Sequence, residues 1–257
     1  MNRIQRTFDQ KKKNILSIYF TAGQCGLNTT VDIIKELENN NVDMIEIGIP
    51  FSDPVADGPI IQKSSEKAIN NGMTLIQLFK ELEHLRKDVS IPVLLMGYLN
   101  PIIQYGIEEF CKKCNEVGVD GVIVPDLPLY IYINQYKKTF EKYNISNTLL
   151  ITPQTSDERI KLIDEVSNGF IYVVSSNGTT GDKKAIQNNH YFQRIKELKL
   201  NSSTLIGFGI KDQKTFLNAC KYADGAIIGS SFVNHLEKSN NRESIKDFVN
   251  EIVEQKR

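Results

Sequence analysis

The chain has 257 residues, in which 31 lysines and arginines balance 31 aspartates and glutamates to no net charge. That balance, with no Lys/Arg run longer than Lys11-Lys12-Lys13, argues against a nucleic-acid surface. No apolar stretch has the length of a membrane span, and no apolar core with a small-residue cleavage site opens the chain. A soluble, cytoplasmic protein is expected, with residues 1–257 forming a single domain around a large core.

A helical start leads into the first of eight short β-rich runs, at residues 15–20, 44–48, 93–96, 122–125, 148–152, 170–174, 204–208 and 226–229. Such nearly continuous apolar runs suit a parallel sheet buried on both faces. Helical spacing fills the gaps. Leu27, Val31, Ile34 and Leu37 share one face, as do Leu75, Leu78, Phe79, Leu82 and Leu85 behind a Thr74/Gln77 capping box. Residues 63–71 read as an extra helical insertion. Cys111 and Cys114 form a lone C-x-x-C on a helical stretch, with no second pair or histidine nearby to complete a metal site, so reduced structural thiols are expected. Thr155 with Glu158 offers another capping box, ahead of Ile160, Ile163 and Val166. His84, His190 and His235 stand apart in polar segments expected to be exposed, and Ile245, Phe248, Val249 and Ile252 close the chain as an amphipathic helix. Eight β/α units in about 250 residues match a TIM (β/α)8 barrel with extra helices. A doubly wound sheet would instead place a glycine-rich turn after the first strand, and here the glycines crowd the other end of the chain.

Residues 46–62 carry the most chemical information. Glu46 sits inside an apolar strand, and a loop stiffened by Pro50, Pro54 and Pro59 then brings Asp53 and Asp57 close by. A carboxyl group in a strand costs free energy unless it is paired, hydrogen-bonded or protonated. Two readings follow: an acid–base group, or a core glutamate paired with Arg or Lys. In a barrel the working residues lie at the carboxyl ends of the strands. Glycine-bearing turns there, at Gly178–Gly181, Gly207–Gly209 and Gly229-Ser230-Ser231, suit a phosphate beside a helix N-terminus. Tyr19, Met96, Tyr98, Leu127, Tyr172 and Phe208 lie near the same rim and would complete a slot for a flat apolar substrate with a phosphorylated tail. Residues 177–189 are expected to form a lid.

Pro50-Phe51-Ser52-Asp53-Pro54 followed by Ala56-Asp57-Gly58-Pro59 carries a specific resemblance. So do Phe20-Thr21-Ala22-Gly23, Met96-Gly97-Tyr98-Leu99-Asn100-Pro101, Pro125-Asp126-Leu127-Pro128, Gly207-Phe208-Gly209-Ile210 and Gly229-Ser230. Along essentially its whole length the chain resembles the tryptophan synthase α-subunit family. The resemblance implies retro-aldol cleavage of indole-3-glycerol phosphate to indole and glyceraldehyde 3-phosphate, without metal or organic cofactor, in an α2β2 complex with a β subunit. It makes Glu46 the acid–base group and Asp57 the partner of the indole N–H, with Tyr172 beside Glu46. Tyr19, Ile61, Met96, Tyr98 and Leu127 would line the indole slot. Thr180 would touch substrate, and Gly181, Gly207, Gly209, Gly229 and Ser230 would hold the phosphate. Asp53, Pro54 and the stretch from Asn100 to Gln104 fall where β-subunit contact is expected.

Some residues depart from the family's usual pattern. Gln24-Cys25 replaces a common Asp-Pro, Ser175-Ser176-Asn177 precedes Gly178 where other members differ, and Thr179 replaces a residue often apolar. These changes bear on the lid and on coupling to the partner. An indole-glycerol-phosphate synthase would want a catalytic lysine on a barrel strand, and a sugar-phosphate epimerase would want metal-binding His and Asp at strand ends; the eight runs offer neither. A free-standing lyase and a catalytically idle barrel that regulates a partner are the remaining alternatives, and intact Glu46 and Asp57 argue against the second.

Overall fold

Eight strands close into one parallel barrel in the computed structural model, which describes residues 2–175 and 189–253. They are β1 (Ile15–Thr21), β2 (Met44–Gly48), β3 (Val93–Met96), β4 (Gly121–Ile123), β5 (Ser146–Ile151), β6 (Ile171–Val174), β7 (Thr204–Gly207) and β8 (Gly225–Ile228). Each pairs with its sequence neighbour, and β8 returns to β1 with Gly225 opposite Ile15. The expected barrel is therefore the observed fold. Every residue of β1, β2, β4, β6, β7 and β8 is buried, which is why these strands read as unbroken apolar runs.

β2 and β3 have the expected ends, β1, β6, β7 and β8 differ by no more than one residue at either end, and β4 and β5 differ by two at one end. β4 stops at Ile123, short of Pro125, which has no N–H to give a ladder. β5 starts two residues early, at Ser146 and Asn147, where the loop before β6 pairs the Ser146 hydroxyl and the Asn147 N–H and leaves Asn147 Oδ1 buried without a partner among the described residues. Ser146 Oγ donates to the Asn168 carbonyl at 3.1 Å, and Asn147 N–H donates to Asn168 Oδ1 at 3.0 Å.

The Arg3–Gln10 helix plugs the amino-terminal end of the barrel with Ile4 and Phe8, the latter 6.0 Å from the Phe170 ring. At the other end, the extra helix spans Pro59–Asn70. It begins earlier than the expected 63–71 because Pro59 takes its first position, where a missing N–H costs nothing. Its Ile61, Ser64, Ser65 and Ala68 are buried, and it packs on β1 and on the Ser230–Lys238 helix.

Thr74 caps the Leu75–Glu81 helix as expected, accepting from Gln77 N–H. The other box does not form at Thr155. Ser156 caps the Asp157–Val166 helix, because the Thr155 hydroxyl is occupied by Thr152 N–H at 2.9 Å. Cys111 and Cys114 are buried free thiols on the Ile107–Val117 helix, and burial pushes Cys111 up to about 12. His235 is not exposed as expected. Its ring is half-buried against Phe232 and Phe248, with Nε2 2.7 Å from Ser244 Oγ. Among the described residues no helix is long and apolar enough to cross a membrane.

Candidate active site

Glu46 lies in the middle of β2, in register with Tyr19 on β1 and Leu94 on β3. Its side chain is fully buried. Oε1 accepts a hydrogen bond from Ser17 Oγ at 2.8 Å, while Oε2 has no partner among the described residues. Burial drives the carboxyl up to about 8, and the Ser17 hydrogen bond only moderates the rise. No cation among the described residues pairs with it, so the core ion-pair reading finds no partner there.

Asp57 sits on the loop that feeds the Pro59–Asn70 helix. The Tyr98 hydroxyl donates to its Oδ2 at 3.0 Å and accepts Ala56 N–H at 3.0 Å, which ties loop and carboxylate to the end of β3. Partial burial raises Asp57 to about 6, and the Tyr98 bond opposes that rise. Two carboxyls thus stand at one rim with separated basicities: near neutral pH Glu46 keeps its proton and Asp57 is mostly ionised.

Tyrosines wall the space between them. Tyr19 and Tyr172 are buried, and burial raises both phenols well above their ordinary value. Each needs a glycine on the neighbouring strand, Gly48 on β2 beside β1 and Gly207 on β7 beside β6. A Cβ on Gly48 would lie 2.2 Å from the Tyr19 hydroxyl, and one on Gly207 would lie 2.1 Å from that of Tyr172. Gly207 therefore has a packing reason to be glycine besides the anion-binding one expected of it. Ile61, Leu127 and Tyr98 are buried and Met96 half-buried near the same mouth.

The glycine-bearing turns expected to hold the phosphate are shaped by backbone geometry. Phe208 and Gly209 both take positive φ, +67° and +74°. Phe208 holds that strained conformation with its carbonyl bonded by Ser175 Oγ at 2.7 Å and its ring edge-on to Tyr172 at 6.0 Å. Gly229 precedes the Ser230–Lys238 helix and offers no side-chain cap to that helix's first-turn N–H groups. Thr180, Gly181 and the expected lid, apart from Asn189, lie outside the described residues.

Several roles were missed from sequence. Asp126 Oδ1 accepts Leu99 N–H at 2.9 Å and so caps the helix after β3. Gln24, one of the departures from the family pattern, is buried. It accepts Thr21 N–H at 3.2 Å and donates to the Val233 carbonyl at 3.1 Å, stapling the end of β1 to the Ser230–Lys238 helix. Thr21 Oγ1 pairs with Ser64 Oγ at 2.6 Å, joining the extra helix to β1. Among the described residues no cluster of three or more His, Cys, Asp or Glu could hold a metal ion.

A closed parallel barrel that leaves two carboxyls of unlike basicity uncompensated at its carboxyl rim falls in the class of barrel enzymes that work by proton transfer. Comparison with known proteins narrows the class. The family described as tryptophan synthase alpha chain matches residues 5–257. The chain is 56% identical over 254 residues to the tryptophan synthase alpha chain of Flavobacterium johnsoniae, covering 98% of this chain and 100% of that one. It is 51% identical over 245 residues to that of Bacteroides thetaiotaomicron, covering 95% and 96%. The crystal structure of tryptophan synthase subunit alpha from Legionella pneumophila superposes with a TM-score of 0.87 at 31% identity, covering 98% of this chain and 97% of that one. The chain belongs to the tryptophan synthase α-chain family.

Proposed function

We propose that Glu46 and Asp57 divide the proton chemistry of the family's reaction, the retro-aldol cleavage of indole-3-glycerol phosphate to indole and glyceraldehyde 3-phosphate. Indole leaves only once its ring carbon bears a proton, and while it does so the ring nitrogen carries positive charge. Protonated Glu46 donates to that carbon, and ionised Asp57 faces the cationic N–H. The Glu46 carboxylate then takes the proton of the glycerol hydroxyl as the carbon–carbon bond breaks. Its electrons return to the ring and the aldehyde forms. Proton transfer suffices for each step, so the chemistry needs neither metal nor organic cofactor.

One observation carries this reading: Glu46 is buried without a cation and pushed to about 8, beside an Asp57 at about 6. Tyr172 packs next to Glu46, and Tyr19, Ile61, Met96, Tyr98 and Leu127 form the indole slot. Gly207, Gly209, Gly229 and Ser230, with Thr180 and Gly181, hold the phosphate end. Residues 1–257 act as one barrel domain, and the reaction belongs to the cytoplasm, where the free thiols stay reduced.

The α chain works with a tryptophan synthase β subunit, which takes up the indole. Its docking face is assigned to the βα-loops after β2, β3 and β4, where Asp53, Asn100 and Gln104 are exposed together with Val55, Ile103 and Tyr130. The test is indole release with and without a β subunit, for wild type and Glu46→Gln. Release that rises with the partner and falls by roughly 100-fold or more in the variant supports the assignment. Undiminished release by a folded Glu46→Gln enzyme overturns it, and fast release without partner indicates a free-standing lyase.

A further inference from the structure

The geometry points to Ser17 as the positioning residue for Glu46: its hydroxyl holds Oε1, so that the working proton is carried and delivered by Oε2. This rests on the acid–base reading of Glu46 above.

Ser17 is fully buried on β1, two residues before Tyr19 and so on the same barrel-facing side. Its hydroxyl donates to Glu46 Oε1 at 2.8 Å, the one hydrogen bond this carboxyl makes among the described residues. An accepted hydrogen bond fixes Oε1 as the carbonyl-like oxygen of the protonated acid, which leaves the proton on unpartnered Oε2. Without it the carboxyl could rotate and present either oxygen.

The titratable groups facing Glu46 leave this role to Ser17. Tyr19 on β1 and Tyr172 on β6 are phenols kept neutral by burial, Asp57 stands across the mouth, and β3 presents Leu94 in register. Among the described residues no lysine or arginine contributes to the Glu46 environment. Because a hydroxyl donor stabilises the carboxylate more than the acid, Ser17 also keeps Glu46 from becoming more basic still.

The experiment compares Ser17→Ala, Ser17→Thr and Glu46→Gln in the complex with β subunit. It reads kcat and KM against pH, and the titration of 13C-carboxyl-labelled glutamate by NMR, with the Glu46 signal assigned by its loss in Glu46→Gln. Thermal unfolding checks that each variant is folded. In Ser17→Ala the Glu46 midpoint moves up by about one pH unit, kcat falls by roughly 10-fold and KM changes little, while Ser17→Thr returns both midpoint and kcat toward wild type. A folded Ser17→Ala enzyme whose midpoint stays at the wild-type value overturns the inference, whatever its kcat. If Glu46→Gln itself keeps wild-type activity, the acid–base reading fails, and that outcome is distinct from a failure of Ser17 alone.

Discussion

The two rims of the barrel treat their acids in opposite ways. At the amino-terminal rim, Asp43, Asp120 and Asp224 each stand immediately before a strand and accept the backbone N–H of a neighbouring strand. The partners are Leu16, Val93 and Thr204, at 2.8, 2.9 and 2.9 Å. Each also meets a cation: Lys11 for Asp43, Arg3 and Arg86 for Asp120, and Lys13 for Asp224. At the carboxyl rim the donors to Glu46 and Asp57 among the described residues are uncharged hydroxyls, Ser17 and Tyr98, and both carboxyls are pushed up. Acids of the first kind hold strands together. Acids of the second kind are held more basic than usual, so that near neutral pH Glu46 keeps its proton while Asp57 is mostly ionised, at a cost in stability that the rest of the barrel offsets.

Cutting the Asp120 pair gives the largest change expected at the stabilising rim. Arg86 is half-buried, and it is spread over the carbonyls of Gly118, Val89 and Ile91 as well as Asp120 Oδ2 at 2.5 Å. Asp120→Ala strands that charge and leaves Val93 N–H without its acceptor. The expected loss is about 3–5 kcal/mol in urea unfolding, with kcat of the folded enzyme retained. A variant that keeps its stability but loses kcat would reverse the division between rims.

Glu46→Gln is expected to do the opposite. The folded carboxyl titrates at about 8 against an ordinary 4.5, so between those values the native chain holds a proton that the unfolded chain has released. Wild-type stability therefore falls as pH rises through that window and levels off above it. The glutamine carries no such slope. Unfolding at pH 5, 7 and 9 should show the variant gaining a few kcal/mol relative to wild type across the series. Parallel stability curves would mean that Glu46 is not held uncompensated. At the same rim, Asp57→Asn is expected to lower kcat by roughly 100-fold. It should also remove the limb near pH 6 through which wild-type kcat/KM rises as Asp57 ionises.

Much of this contrast is legible in the chain, and its gaps have physical causes. Strands buried on both faces leave continuous apolar runs, and a glutamate inside Met44-Ile45-Glu46-Ile47-Gly48 stands out against them. Ser17 does not stand out, because a strand serine has no chemical meaning until the barrel register sets it beside Glu46. Gly48 and Gly207 answer to tyrosine hydroxyls that reach them from the neighbouring strand, a meeting set by the register of β1 with β2 and of β6 with β7. The Asp43, Asp120 and Asp224 device repeats as an aspartate immediately before β2, β4 and β8, a signal visible in principle once the strands are placed. Asp126 looks like loop polarity until it is seen to cap Leu99 from a neighbouring βα-loop. The slip from Thr155 to Ser156 arose because two adjacent hydroxyls compete for one helix start, and local turn geometry decides between them.

Tyr98→Phe gives the finest test, because it removes one uncharged hydroxyl from the carboxyl rim and nothing else of comparable size. The phenol does two things there: it donates to Asp57 Oδ2, and it accepts Ala56 N–H. Loss of the donor weakens the carboxylate more than the acid, so the rising limb of kcat/KM should move up from about 6 by less than one pH unit. Loss of the acceptor frees the loop at Ala56, which should raise KM while the limb set by Glu46 stays in place. The ring still stacks against Phe51, at 5.3 Å between centroids, so the slot keeps its wall and global stability should change by about 1 kcal/mol or less. A limb that moves down would mean that Tyr98 disfavours the Asp57 carboxylate. A limb that does not move would assign the pH 6 step to another group and leave Asp57 with a binding role alone.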